Sequence, residues 1–123
     1  MKVLIVEDDP LLVEMVKAKL KKDGYEVFSA FNGEEGLCRV KECFPDVIIL
    51  DINMPIMNGF ELLKILKKDN VFQKIPVILF SSTGDKEDNL EMGKRLGASG
   101  FLVKSQLSLN DIPAKIKEVI GQK

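Results

Sequence analysis

Short apolar, β-branched runs alternate with longer amphipathic stretches along the whole chain. The runs fall at residues 3–6, 25–29, 46–50, 76–80 and 100–103. Their length suits strands, and Val47-Ile48-Ile49-Leu50 has no polar alternation, as expected of a sheet buried on both faces. Between the runs the punctuation is that of helices. Asp9 stands as N-cap before Pro10 at the first helical position, with Gly24 as the stop, and Asn32 with Glu35 forms a capping-box pair. A third helix is predicted over residues 59–68, where Phe60, Leu63 and Leu66, with Leu62 and Ile65 beside them, make an apolar stripe. A fourth covers residues 85–96 and stops at Gly97. The fifth carries Ile112, Ile116, Val119 and Ile120 at helical spacing, and Pro113 leaves its start open. Strand and helix alternate five times, so the expected class is α/β: a (βα)5 doubly wound parallel sheet. No linker, repeat or low-complexity segment interrupts the series, so residues 1–123 are expected to form a single domain with no output domain.

Composition narrows the functions such a domain can have. With 123 residues, 46% hydrophobic and 30% charged, the chain is an ordinary globular one with enough length for one core. Eighteen basic residues against 19 acidic ones leave a net charge of -1, so neither nucleic acid nor an anionic membrane surface is an expected partner. No apolar run approaches the roughly 18 to 20 residues of a membrane helix, and a cytoplasmic location is expected. Histidine is absent. That excludes imidazole metal sites, Ser-His-Asp and Cys-His hydrolysis, and phosphorylation of a histidine in this chain. Cys38 and Cys43, five apart in a predicted helix, point away from each other, and neither a disulfide nor a metal pair is expected.

In an open parallel sheet the ligand site lies beyond the carboxyl ends of the strands. After the first run come Glu7, Asp8 and Asp9; after the third, Asp51 and then Asn53; after the fourth, Ser81, Ser82 and Thr83; after the fifth, Lys104. The second run delivers only Ala30 and Phe31. Singly, each of these has a plain reading. The acidic run makes a turn that caps a helix, which is the preferred role for Asp9; Asp51 precedes a turn at Pro55; the hydroxyls form a polar loop; and Lys104 is a solvated strand-end lysine. Their collection at one edge favours a site. Carboxylates from Glu7, Asp8 and Asp51 brought together repel unless a cation compensates, and oxygen ligands without His or Cys select Mg²⁺, Mn²⁺ or Ca²⁺, with Mg²⁺ suiting a wet cleft. A cation, the Lys104 ammonium and the Ser81 hydroxyl around one carboxylate make a receptor for a phosphoryl group, with the carboxylate itself as nucleophile. Asp51, ending the most continuously apolar run, is the candidate.

These residues resemble a known family. Val3-Leu4-Ile5-Val6-Glu7-Asp8-Asp9, Val47-Ile48-Ile49-Leu50-Asp51-Ile52-Asn53-Met54-Pro55, Pro76-Val77-Ile78-Leu79-Phe80-Ser81 and Gly97-Ala98-Ser99-Gly100-Phe101-Leu102-Val103-Lys104 are similar to the four ordered motifs of the CheY-like response regulator receiver domain. The resemblance implies strand order 2-1-3-4-5, Asp51 as phosphoacceptor, and Mg²⁺ (with Mn²⁺ possible) held by Glu7, Asp8, Asp51 and the main-chain carbonyl of Asn53. It further implies Ser81 as switch hydroxyl, Lys104 as a contact to the phosphoryl group and Phe101 as switch aromatic, although Phe101 also reads as plain strand core. Asn53 and Thr83 match positions that influence phosphate lifetime. The implied partners are a histidine kinase or histidine phosphotransfer protein and an unknown downstream protein, which would read the fourth helix, fifth strand and fifth helix. A monomer or weak dimer is implied, and a phosphoacceptor, not a turnover enzyme.

One departure stands out: the family follows its lysine with a cis proline, and here Ser105 follows Lys104. A cis bond before a residue other than proline costs about 3 to 4 kcal/mol, so a trans Lys104–Ser105 bond is expected. Three rival readings share parts of the pattern. A flavin mononucleotide carrier would face the repulsive Glu7-Asp8-Asp9 turn. A haloacid-dehalogenase-like phosphatase would want an acid where Asn53 stands. A degenerate receiver, serving only as an interaction module, would fit the loss of the proline.

Overall fold

The structure, a computed structural model, describes residues 1–82, 86–106 and 108–121. Ten elements alternate as expected: β1 Lys2–Val6, α1 Pro10–Lys22, β2 Glu26–Ala30, α2 Gly33–Cys43, β3 Val47–Asp51, α3 Gly59–Lys68, β4 Val77–Ser81, α4 Lys86–Leu96, β5 Gly100–Val103 and α5 Asp111–Gly121, with a 3-10 helix at Lys104–Gln106. All strands are parallel, and the sheet order is β2-β1-β3-β4-β5. This is the doubly wound fold the alternation predicts. No helix among the described residues is long and apolar enough to cross a membrane.

The sheet divides two apolar cores. Val3 and Ile5 of β1, Val47 and Ile49 of β3, and Ile78 and Phe80 of β4 pack on one face with Val13, Val16 and Leu20 of α1 and Ile112, Ile116 and Val119 of α5. Leu4, Val6, Ile48, Leu50, Val77 and Leu79 pack on the other with Val40 of α2 and Leu62, Leu63 and Leu66 of α3. Successive strand residues thus serve opposite cores, which is why the runs show no polar alternation.

Three strands begin and end one residue later than the apolar runs suggest. At the start, Tyr25 donates its N–H to the Leu20 carbonyl and still belongs to the α1 terminus, while Asp46 uses its carboxylate to accept from the Lys2 N–H at 2.7 Å. At the far end, the ladder continues through Asp51, opposite Phe80, and Ser81, opposite Val103, because backbone pairing is indifferent to side-chain polarity. The caps also differ in detail. Asp9 accepts from Leu11 N at 3.0 Å, as expected. Asn32 accepts from Glu35 N at 2.8 Å, but the Glu35 carboxylate accepts from Phe31 N, so the box closes one residue early. A complete capping box joins Asn58 and Glu61 at the start of α3. Pro113 falls in the first turn of α5, where its missing N–H removes no helical bond. Residue 85, the expected start of the fourth helix, and Thr83 lie outside the described residues.

The Lys104–Ser105 peptide is trans, as expected, and the chain passes directly from β5 into the 3-10 helix. The β3–α3 loop holds a less expected feature. Met57 donates its N–H to the Pro55 carbonyl at 2.8 Å around Ile56, which has φ 71° and is 73% exposed. A β-branched residue at the centre of a positive-φ γ-turn is strained, and Ile56 buries little to offset that. Ile56→Gly is therefore expected to raise unfolding stability by about 1 kcal/mol, the left-handed penalty outweighing glycine's added chain entropy. Urea denaturation checks this, and a destabilised variant would contradict the strain.

Candidate functional site

The strand register brings the predicted residues together. Val6 pairs with Leu50, so Glu7 and Asp51 follow side by side at the carboxyl edge of β1 and β3. Glu7, Asp8 and Asp51 each present a carboxylate oxygen within 4.8 Å of the others. Glu7 is fully buried and Asp51 is 2% exposed, whereas Asp8 is exposed. Lys104, just past β5, extends its ammonium to 2.7 Å from Glu7 Oε1 and 3.3 Å from Asp51 Oδ1.

Backbone groups hold the two buried acids. Glu7 Oε2 accepts from the Asp9 N–H at 2.9 Å, and Asp51 Oδ1 accepts from the Asn53 N–H at 3.3 Å. The remaining Glu7 oxygen, Oε1, is buried and lies 2.7 Å from the Lys104 ammonium. Beneath Asp51 the start of α3 comes unusually near: a Cβ on Gly59 would lie 2.3 Å from the Asp51 carbonyl oxygen, and the Gly59 N–H donates to Ile52 O at 2.9 Å. Glycine is required there by lack of space.

These surroundings set the proton affinities. Burial pushes the Glu7 carboxyl up to about 7, against the opposing pull of Lys104 and the Asp9 N–H. Burial also raises Asp51, again opposed by Lys104. Burial lowers Lys104, but Glu7 and Asp51 outweigh it and hold the ammonium above its ordinary value. Lys104 therefore stays charged, while burial makes both of its partners hold their protons more tightly than free carboxyls do.

Three carboxyl groups share one ammonium, so the site is left short of positive charge. That all-oxygen set fits a hard divalent cation. Glu7, Asp8 and Asp51 could hold one, with the Asn53 carbonyl two residues beyond Asp51 as the candidate main-chain ligand.

The other candidates stand nearby. Ser81 is buried, and its Oγ donates to the Ser82 carbonyl at 3.1 Å. Phe101 is half-buried on β5 beside a cavity of about 260 Å³ between α4, β5 and α5, also lined by Leu90, Ala98 and Lys115. Cys38 is exposed and Cys43 buried, both free. Reading the sequence did not single out Phe80, whose ring lies under the Lys104 ammonium at 5.4 Å. Its position one residue before Ser81 was the available signal.

Residues 3–117 match the family model described as the response regulator receiver domain. The chain is 40% identical to protein PilH of Pseudomonas aeruginosa over 103 residues, 84% of each chain. It is also 40% identical to the transcriptional regulatory protein CrdR of Helicobacter pylori over 116 residues, covering 94% of this chain and 53% of that one. Among solved structures it resembles the chemotaxis response regulator CheY4 of Vibrio cholerae, with TM-score 0.87, 34% identity and coverage of 96% and 97%. The receiver domain of Francisella response regulator 1452 is similar at TM-score 0.87 and 31% identity, with coverage of 98% and 97%.

The raised Glu7 carboxyl has a measurable consequence. The native state holds this proton to a higher pH than the unfolded chain, so stability due to Glu7 is full below about 4.5 and is lost as pH rises through about 7. With chelator present, the stability of wild type relative to Glu7→Gln should fall between pH 5 and 7.5. Denaturant titrations at each pH check the slope, and a flat difference would contradict it.

Proposed function

Because the chain belongs to the response regulator receiver domain family, we propose that residues 1–123 act as one receiver unit of two-component signalling with Asp51 as phosphoacceptor. The observation that carries the assignment is the convergence of Glu7, Asp8 and Asp51 oxygens within 4.8 Å beside the Lys104 ammonium. Receiver domains of this kind interact with histidine kinases or histidine phosphotransfer proteins, and with no histidine of its own this chain takes the phosphoryl group from such a partner.

An Asp51 carboxylate oxygen forms a bond to phosphorus as the phosphorus–nitrogen bond of the donor's phosphohistidine breaks. The electron pair returns to the imidazole nitrogen, which takes up a proton, and the product is an aspartyl phosphate. Glu7, Asp8, Asp51 and the Asn53 carbonyl would hold Mg²⁺, or Mn²⁺. Bound there, the cation would supply positive charge to the phosphoryl oxygens. Lys104 leaves its pairing with Asp51 and contacts the same oxygens. Ser81 exchanges its bond to the Ser82 carbonyl for one to the phosphoryl group, and Phe101 moves inward in response. The surface of α4, β5 and α5 around the Phe101 cavity then changes its affinity for a downstream protein. The domain alters only its own covalent state, so it is a signalling phosphoacceptor and not a turnover enzyme. It works in the cytoplasm, as a monomer or weak dimer. Neither nucleic acid nor membrane is a direct partner, in keeping with its net charge of -1.

Incubation with Mg²⁺ and acetyl phosphate should produce an acid-stable, base-labile phosphate on the protein. Chelation of Mg²⁺ should lower the rate at least about 100-fold, the scale set by losing one main electrostatic stabiliser. Label that persists in Asp51→Asn would refute the assignment.

A further inference from the structure

The side chain that must serve the phosphoryl group, Lys104, is 25% exposed and follows an edge strand. The residue after it is Ser105, in a trans peptide that opens a 3-10 helix. Its two ion-pair partners are Glu7 and Asp51. On the reading above, neither partner is permanent. Glu7 turns to a cation, and Asp51 loses its carboxylate charge when it becomes an acyl phosphate. A third contact is to a neutral group whose charge the reaction does not alter. The Lys104 Nζ lies over the face of the Phe80 ring, 5.4 Å from its centroid, inside the range in which an ammonium is attracted by an aromatic quadrupole.

Phe80 is built to hold that place. It is 1% exposed and is among the largest fully buried side chains in the described residues. It sits on β4 directly opposite Asp51, one residue before Ser81, and belongs to the core shared with α1 and α5. The ring is therefore fixed by packing, and its electron-rich face is turned to the ammonium.

We infer that Phe80 is a positioning residue for Lys104: the ring face keeps the ammonium above the floor of the site while Glu7 and Asp51 are given over to cation and phosphoryl group. Phe80 touches no reacting atom and acts only through the lysine. The inference rests on Lys104 contacting the phosphoryl group as proposed above.

The test replaces Phe80 in the full chain with phenylalanine carrying one, two or three ring fluorines, which drain the face of the ring with little change of size. Affinity for beryllofluoride in the presence of Mg²⁺ is measured by calorimetry, and phosphorylation by acetyl phosphate is measured alongside. Each added fluorine should weaken beryllofluoride binding, reaching several-fold with three, while the urea midpoint stays near wild type. The same series in a Lys104→Met background should be flat. A purely structural Phe80 would give no gradation with fluorine in either background, and that result overturns the inference. In the unsubstituted protein, the Lys104 ε-methylene protons should show an upfield ring-current shift. Its absence would also overturn the inference. Wild-type protein that binds no beryllofluoride at all would overturn the phosphoacceptor reading first, and this one with it.

Discussion

Glu7 and Asp51 are carboxylates with almost no access to water, and they share the ammonium of Lys104. Removing water from two like charges is costly, and a single cation at 2.7 and 3.3 Å only partly offsets it. Much else near the sheet edge answers to this constraint. The Asp9 and Asn53 N–H groups aim at the two acids, Gly59 gives α3 room to pack against the Asp51 backbone, and the 3-10 helix begins at the residue whose ammonium must reach back to the acids. An acidic pair this poorly compensated is suited to gaining positive charge, and a divalent cation among Glu7, Asp8 and Asp51 would supply it.

The doubly wound sheet supplies this geometry through backbone pairing. Parallel pairing sets Val6 beside Leu50, Asp51 beside Phe80 and Ser81 beside Val103, so residues nearly a hundred positions apart arrive at one edge. The two cores then prevent slippage, because a shift of one residue would exchange every side chain between faces.

Much of this was legible in the sequence. The element order follows from apolar runs separated by capped amphipathic segments, and the cluster follows because the runs end at Glu7, Asp51, Ser81 and Lys104. What the sequence hid had local causes. Strand ends moved by one because hydrogen-bond ladders ignore polarity. α2 ends at Cys43 without a glycine because Phe44 itself takes φ 47°. The Ile56 γ-turn breaks the usual preference for glycine at positive φ, so no residue announces it. Phe80 reads as core, and it is core; its relation to Lys104 appears only when β4 and β5 lie side by side.

Strand order distributes the site unevenly across the sheet. β1 and β3, which lead to the two buried acids, are interior strands with a neighbour on each side, whereas β5, which leads to the ammonium, borders the sheet and is paired on one side only. The negative half is anchored, and the positive half is hung from the rim. A displacement of the rim disturbs half as many ladder bonds as one of the interior. The ammonium thus belongs to the half of the charge assembly with the fewest ladder bonds to resist a shift, and that half borders the α4–β5–α5 surface.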